Sequence, residues 1–134
     1  SGVELSVDMK ARLPGCSKYW QQGPELALEM WSIRPDRRHQ GKIGWTLDDA
    51  KQTDYTLHVF EPQDTQDVFV LPFQLLRMAF SNRLLDWERR YKQGTQRTPD
   101  KHGGPGWESS CLFVPASVVI DAIVCEMKRP CKAG

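Results

Sequence analysis

Residues 3 to 10 alternate without a break: Val3, Leu5, Val7 and Met9 at odd positions, Glu4, Ser6, Asp8 and Lys10 at even ones. A period of two predicts a strand over residues 2 to 11, with its apolar row buried and its polar row outward. Pro14-Gly15 breaks it. An apolar row of this kind needs a second layer to cover it, and 134 residues are enough for one domain with a real core.

Nine Pro and ten Gly divide the remainder into short elements. Residues 25 to 33 alternate again and predict a second strand, with Glu25, Ala27, Glu29 and Trp31 on one face. Residues 54 to 61 and 67 to 71 read as a third and a fourth strand, joined as a hairpin through the turn at 62 to 66. Pro72 then takes a favoured helix-start position. Phe73, Leu76, Phe80, Leu84, Trp87 and Tyr91 follow at spacings of three and four, which predicts an amphipathic helix over 72 to 93, stopped near Gly94. Residues 94 to 108 read as a Gly/Pro-rich loop and residues 110 to 114 as a short strand. Pro115 opens a last helix carrying Val119, Ile120, Ile123 and Met127. The expected fold is one α/β (α+β) domain over residues 1 to 134, a mixed central sheet with flanking helices.

With 40% apolar and 26% charged residues, the composition excludes disordered, collagen-like and coiled-coil chains. No apolar run approaches the roughly 18 residues that span a bilayer, so no membrane partner is expected. Cys16, Cys111, Cys125 and Cys131 form no Cys-x-x-Cys pair, and no His stands at zinc-ligand spacing from them. Reduced thiols in a cytoplasmic protein are the expectation, and Pro130 argues against a Cys125–Cys131 disulfide by separating a helix end from the tail.

The formal net charge of +1 conceals a segregation. Arg34, Arg37, Arg38 and Lys42 outweigh Asp36 by three charges within residues 34 to 42. Residues 77 to 101, including Arg97 and Lys101, carry an excess of four positive charges. Between them, residues 46 to 67 hold six carboxylates against Lys51. Basic segments flanking an acidic one suit a binder of phosphate backbones, and they also describe an ordinary solvated surface.

Asp8 and Lys10 fall on the same strand face, about 7 Å apart along it. An aspartate is a hard oxygen ligand for Mg²⁺, and a neighbouring ammonium stabilises charge on a phosphorus centre under attack. The same pair on a solvated face is also an ordinary ion pair. Glu29, between Leu28 and Met30-Trp31, is costly at mid-strand unless it is exposed, paired or metal-bound. If the first two strands form an antiparallel pair, Glu29 or Glu25 reaches the Asp8 face. Trp45, at a turn, reads as packed on the core more readily than as a base-stacking platform. Asp54 reads as capping the turn or bonding a loop amide and His58 as a packed strand residue, while His39 and His102 lie in basic loops. No Gly-rich phosphate loop, serine elbow or Cys/His pair accompanies them.

The run Val3-Glu4-Leu5-Ser6-Val7-Asp8-Met9-Lys10 resembles the strand ending in (D/E)-x-K of PD-(D/E)XK, or restriction-endonuclease-like, nucleases. Glu29-Met30-Trp31-Ser32-Ile33, Gly44-Trp45 and Thr53-Asp54-Tyr55-Thr56-Leu57 extend the likeness, and the order of elements follows it over roughly residues 3 to 130. The resemblance implies a nuclease dependent on Mg²⁺ or Mn²⁺ that acts on nucleic acid, DNA foremost. In it Asp8 is a metal ligand, Lys10 the catalytic lysine and Glu29 an added acidic ligand. Arg34, Arg37, Arg38, Lys42, Arg97 and Lys101 are then the candidates for holding the nucleic acid. The family also carries an acidic residue on a preceding strand, and only seven residues stand before Asp8. Three alternatives follow: an N-terminal part is missing from this chain, a second chain such as a homodimer partner supplies the residue, or the fold binds without catalysing.

Overall fold

The computed structural model describes residues 2–129. Within them the elements run β1 (Val7–Ala11), β2 (Glu25–Ile33), β3 (Lys42–Ile43), β4 (Tyr55–Val59), β5 (Phe69–Pro72), α1 (Phe73–Arg90), β6 (Lys92–Thr98), β7 (Trp107–Pro115) and α2 (Ala116–Lys128). A 3-10 turn at Cys16–Tyr19 joins β1 to β2. The fold is α+β, with two sheets in place of the single central sheet expected. One is mixed, in the order β1-β4-β5, with β1 parallel to β4 and β5 antiparallel to it. The other is antiparallel throughout, in the order β3-β2-β7-β6.

The core lies between the four-stranded sheet and the two helices. Leu26 and Leu28 of β2 stand opposite Val114 and Leu112 of β7, and all four are almost completely buried. α1 lays Leu76, Ala79, Phe80 and Trp87 onto them, as the spacing of three and four predicts. Pro72 caps this helix, with an extended backbone that ends β5 and starts the first turn. Phe80 is fully buried, and its truncation to Ala removes about 3 to 5 kcal/mol.

Four expectations need correction. First, the strand at the start covers only Val7–Ala11, and its buried face is the opposite one. Val3, Leu5, Val7 and Met9 are 88%, 59%, 54% and 63% exposed. In the parallel register Asp8 lies beside Thr56 and Lys10 beside His58, and both of those β4 residues are buried. The parity of β4, with Thr56, His58 and Phe60 inward, therefore decides which row of β1 faces in. Second, β1 pairs with β4 and not with β2, so Glu25 and Glu29 belong to the other sheet. Third, residues 92 to 98, read as part of a helix end and a loop, form β6. Lys-Gln-Gly-Thr-Gln-Arg-Thr has no apolar alternation, because β6 is an edge strand and bonds β7 alone. Fourth, α2 buries Val119, Ala122, Ile123 and Glu126, whereas Ile120 and Met127 are exposed. Glu126 can occupy the buried stripe because Arg83, Asn82 and Arg129 reach it at 2.8, 2.9 and 3.2 Å.

No helix among the described residues is long and apolar enough to cross a membrane. Cys16, Cys111 and Cys125 are free thiols, and Cys131 lies outside the described residues.

Candidate active site

β1 carries Asp8 and Lys10 on the row that turns toward buried Thr56 and His58. The Lys10 ammonium lies 3.0 Å from Asp8 Oδ2, and a second ammonium, from Lys51 in the loop before β4, lies 3.2 Å from the same oxygen. All three side chains are about 30% exposed, so the cluster is open to a ligand and partly shielded from water. Burial pushes the Asp8 carboxyl up, but the bonds and charges of Lys10 and Lys51 outweigh it and hold the group below its ordinary value. Asp8 is therefore ionised throughout the neutral range.

Trp45 joins this cluster to the other sheet. The Lys10 ammonium sits 4.5 Å from the centroid of its ring, a cation–π contact, and its backbone amide donates to Glu29 Oε1 at 3.3 Å. The turn that delivers Trp45 requires glycine before it. A Cβ on Gly44 would stand 2.4 Å from the Glu29 carbonyl oxygen, and the Gly44 amide donates to the Met30 carbonyl at 2.9 Å. The ladder between β2 and β7 shifts between Glu29 and Trp31, a bulge that re-aims the side chains beside it. Glu29 and Lys51 line one cavity of about 290 Å³, together with Lys42, Trp45 and Asp48.

His58 is 3% exposed, and its Nε2 lies 2.9 Å from Thr56 Oγ1. Burial, reinforced by the Lys10 charge, pushes its pKa down to about 4, against a smaller opposing effect of Asp8. It is a neutral, packed strand residue at pH 7, as the sequence suggested. Asp54 accepts the Ser6 amide at 2.8 Å, the second of the two roles the sequence left open for it.

Asp8, Lys10 and Glu29 are thus linked through Trp45 and Lys51. The basic candidates divide. Arg34 and Arg97 both reach Glu108, at 2.6 and 3.5 Å, and Arg97 also donates to the Pro105 carbonyl at 2.8 Å. Arg37, Arg38, Lys42 and Lys101 are exposed and form no salt bridge among the described residues. His39 is engaged by Asp36, with Nδ1 at 2.9 Å from its carboxylate. Glu25 lies in a different cavity, beside Arg12 and Lys18.

Lys51 is the functional candidate that sequence reasoning missed. Its one signal is its position as the only cation among six carboxylates over residues 46 to 67.

Asp8 and Glu29 are hard oxygen donors of the kind Mg²⁺ takes, and Mg²⁺ commonly uses one or two carboxylates with water and substrate phosphate completing its shell. No group of three or more His, Cys, Asp or Glu converges on a metal position among the described residues. Asp8 is outside the lining of the cavity that holds Glu29. No family model matches the chain, and no curated protein or solved structure matches it.

Proposed function

We propose that the chain is a metal-assisted phosphodiesterase acting on nucleic acid, with its reaction centre at Asp8, Lys10, Lys51 and Glu29. One observation carries the reading: the Asp8 carboxylate is flanked by two ammoniums at 3.0 and 3.2 Å, in a site about 30% exposed. A lone surface ion pair needs one cation, whereas a second one on the same oxygen leaves positive charge available to an incoming phosphate. Asp8 and Glu29 are the residues that would hold Mg²⁺ or Mn²⁺, which would supply Lewis-acid polarisation of a phosphoryl oxygen.

The protein's own groups do the rest. Lys10, steadied on the Trp45 ring, is directed at charge developing on the phosphoryl oxygens, and Lys51 faces it from the loop before β4. Exposed Arg37, Arg38, Lys42 and Lys101 hold the flanking backbone, DNA foremost. A restriction-endonuclease-like core is part of this proposal, supported by the Asp8-Met9-Lys10 strand and its parallel pairing with β4. The resemblance also calls for an acidic residue on a preceding strand. Glu4 does not fill that role here, since it is exposed and outside β1.

A second reading, binding without hydrolysis, draws on the lack of three converging metal-ligating side chains among the described residues. Cleavage of labelled DNA and RNA separates the two. Hydrolysis that appears with Mg²⁺ or Mn²⁺, stops with EDTA and is lost in Asp8→Ala and Lys10→Ala supports the enzyme. Salt-sensitive binding by a chain that cleaves neither substrate selects the binding module.

A further inference from the structure

We propose that a second cavity, at the far end of β1 from Asp8, is a subsite for one unstacked nucleotide of a single-stranded nucleic acid. It encloses about 460 Å³, a size suited to one nucleotide, beside the 3-10 turn Cys16–Tyr19. Arg12, Lys18 and Lys92 bring three positive charges to its lining, and none of them forms a salt bridge among the described residues. The one carboxylate in the lining, Glu25, is 7% exposed and accepts the Gln21 amide.

The aromatic surface is arranged for a planar guest. Tyr19 is 60% exposed, with the Lys18 and Lys92 ammoniums 5.1 and 5.3 Å from its ring. A base stacked on Tyr19 places its phosphate within reach of both lysines. Arg12 and Trp20 line the cavity, and their buried Nε and Nε1 atoms have no hydrogen-bond partner among the described residues.

Continuity selects a strand over a free nucleotide. Arg12 and Phe113 also line a neighbouring cavity of about 330 Å³ between β1 and the β6–β7 pair. Buried Ser110 Oγ, in the lining of that cavity, is likewise without a partner. Arg12 and Cys111 continue the groove into a third cavity, which contains Lys10. From Arg12 back to Asp8 is about 13 Å along β1. A base can stack on Tyr19 only when it has left its neighbours, which favours single strands over duplex.

The inference rests on the phosphodiesterase reading only for what the strand is delivered to. Binding is measured in EDTA by anisotropy of a labelled oligothymidylate, on the parent chain and on Asp8→Ala, so that cleavage does not enter. Tyr19→Ala should weaken binding roughly 5- to 100-fold, with Tyr19→Phe restoring it. Lys18→Gln and Lys92→Gln should each flatten the salt dependence by about 0.7 in log–log slope. Equal affinity for a duplex of the same length, equal competition by thymidine monophosphate, or a Tyr19→Ala chain that binds like the parent overturns the proposal. If Tyr19→Ala fails to fold, the salt slopes of the two lysine variants decide, an unchanged slope counting against it. Metal-dependent cleavage without strand binding at this site sinks the inference alone, and strand binding without cleavage sinks the hydrolytic reading alone.

Discussion

His58 makes the stability of this fold depend on acidity in a range where few other groups titrate. The imidazole is 3% exposed, bonded to Thr56, 6.1 Å from the Trp45 ring and beside Lys10 in the β1–β4 register. Burial first, and the Lys10 charge second, push its pKa from 6.5 down to about 4. In the unfolded chain the ring takes up a proton near the ordinary value. In the folded chain it resists until about pH 4. Between those limits the unfolded state binds more protons, so the free energy of unfolding falls as pH falls. Stability is intact above about pH 7, declines through the window and is fully reduced near pH 4, by about 3 kcal/mol at about 1.4 kcal/mol per pH unit. About 2 kcal/mol of that is lost between pH 7 and pH 5. Asp8, Asp36 and Asp64 have carboxyl values held below 3.8, so the stability they contribute is lost at lower pH than this interval. Urea unfolding at pH 7, 6 and 5 measures the effect. His58→Gln, which keeps a polar group for Thr56, should lower stability at pH 7 and flatten the slope. A parent chain equally stable at pH 7 and pH 5, or a variant with the parent's slope, refutes the argument.

Two further outcomes follow from contacts in the sheets. Gly94→Ala places a Cβ 2.5 Å from Phe113 Cε2, and the ring has to shift, so the free energy of unfolding should drop by about 1 to 3 kcal/mol. Phe113 lines both cavities beside Arg12, and oligothymidylate binding should weaken with it. Among the described thiols, Cys125 is exposed, Cys16 is 7% exposed, and burial pushes Cys111 up to about 11. A thiol reagent at pH 8 should therefore label Cys125 promptly, Cys111 much more slowly and buried Cys16 only on unfolding, and peptide mapping that finds Cys111 modified as fast as Cys125 contradicts that order.

What the sequence revealed follows the range of the physics involved. α1 was legible because its apolar stripe and the Pro at its start are local facts, and the structure buries that stripe. β2 was legible over the same residues, 25 to 33, for the same reason. β1 was found but turned the wrong way. Its inward face is chosen by Thr56 and His58 on a parallel neighbour 48 residues away, and a parallel pair leaves no turn signal in the sequence. β6 was missed because an edge strand with one partner needs no apolar row. In α2 the buried stripe includes Glu126, and a carboxylate reads as a solvent residue until Arg83 and Asn82 of α1 are seen to meet it. At the candidate site, Asp8 and Lys10 share one strand and were read together. Lys51 comes from a loop 41 positions beyond Lys10, so its approach to Asp8 is a tertiary fact.

The two sheets differ in how they meet solvent. The four-stranded sheet ends in β6, whose Lys92, Gln93, Gln96 and Arg97 are exposed and make that edge a poor template for another chain. The three-stranded sheet has no such guard: Val7 and Met9 of β1 and Val70 of β5 are 54%, 63% and 57% exposed. A melting temperature that falls as protein concentration rises would be the mark of association through such exposed apolar side chains, and it would then report on that surface as well as on the strength of the core.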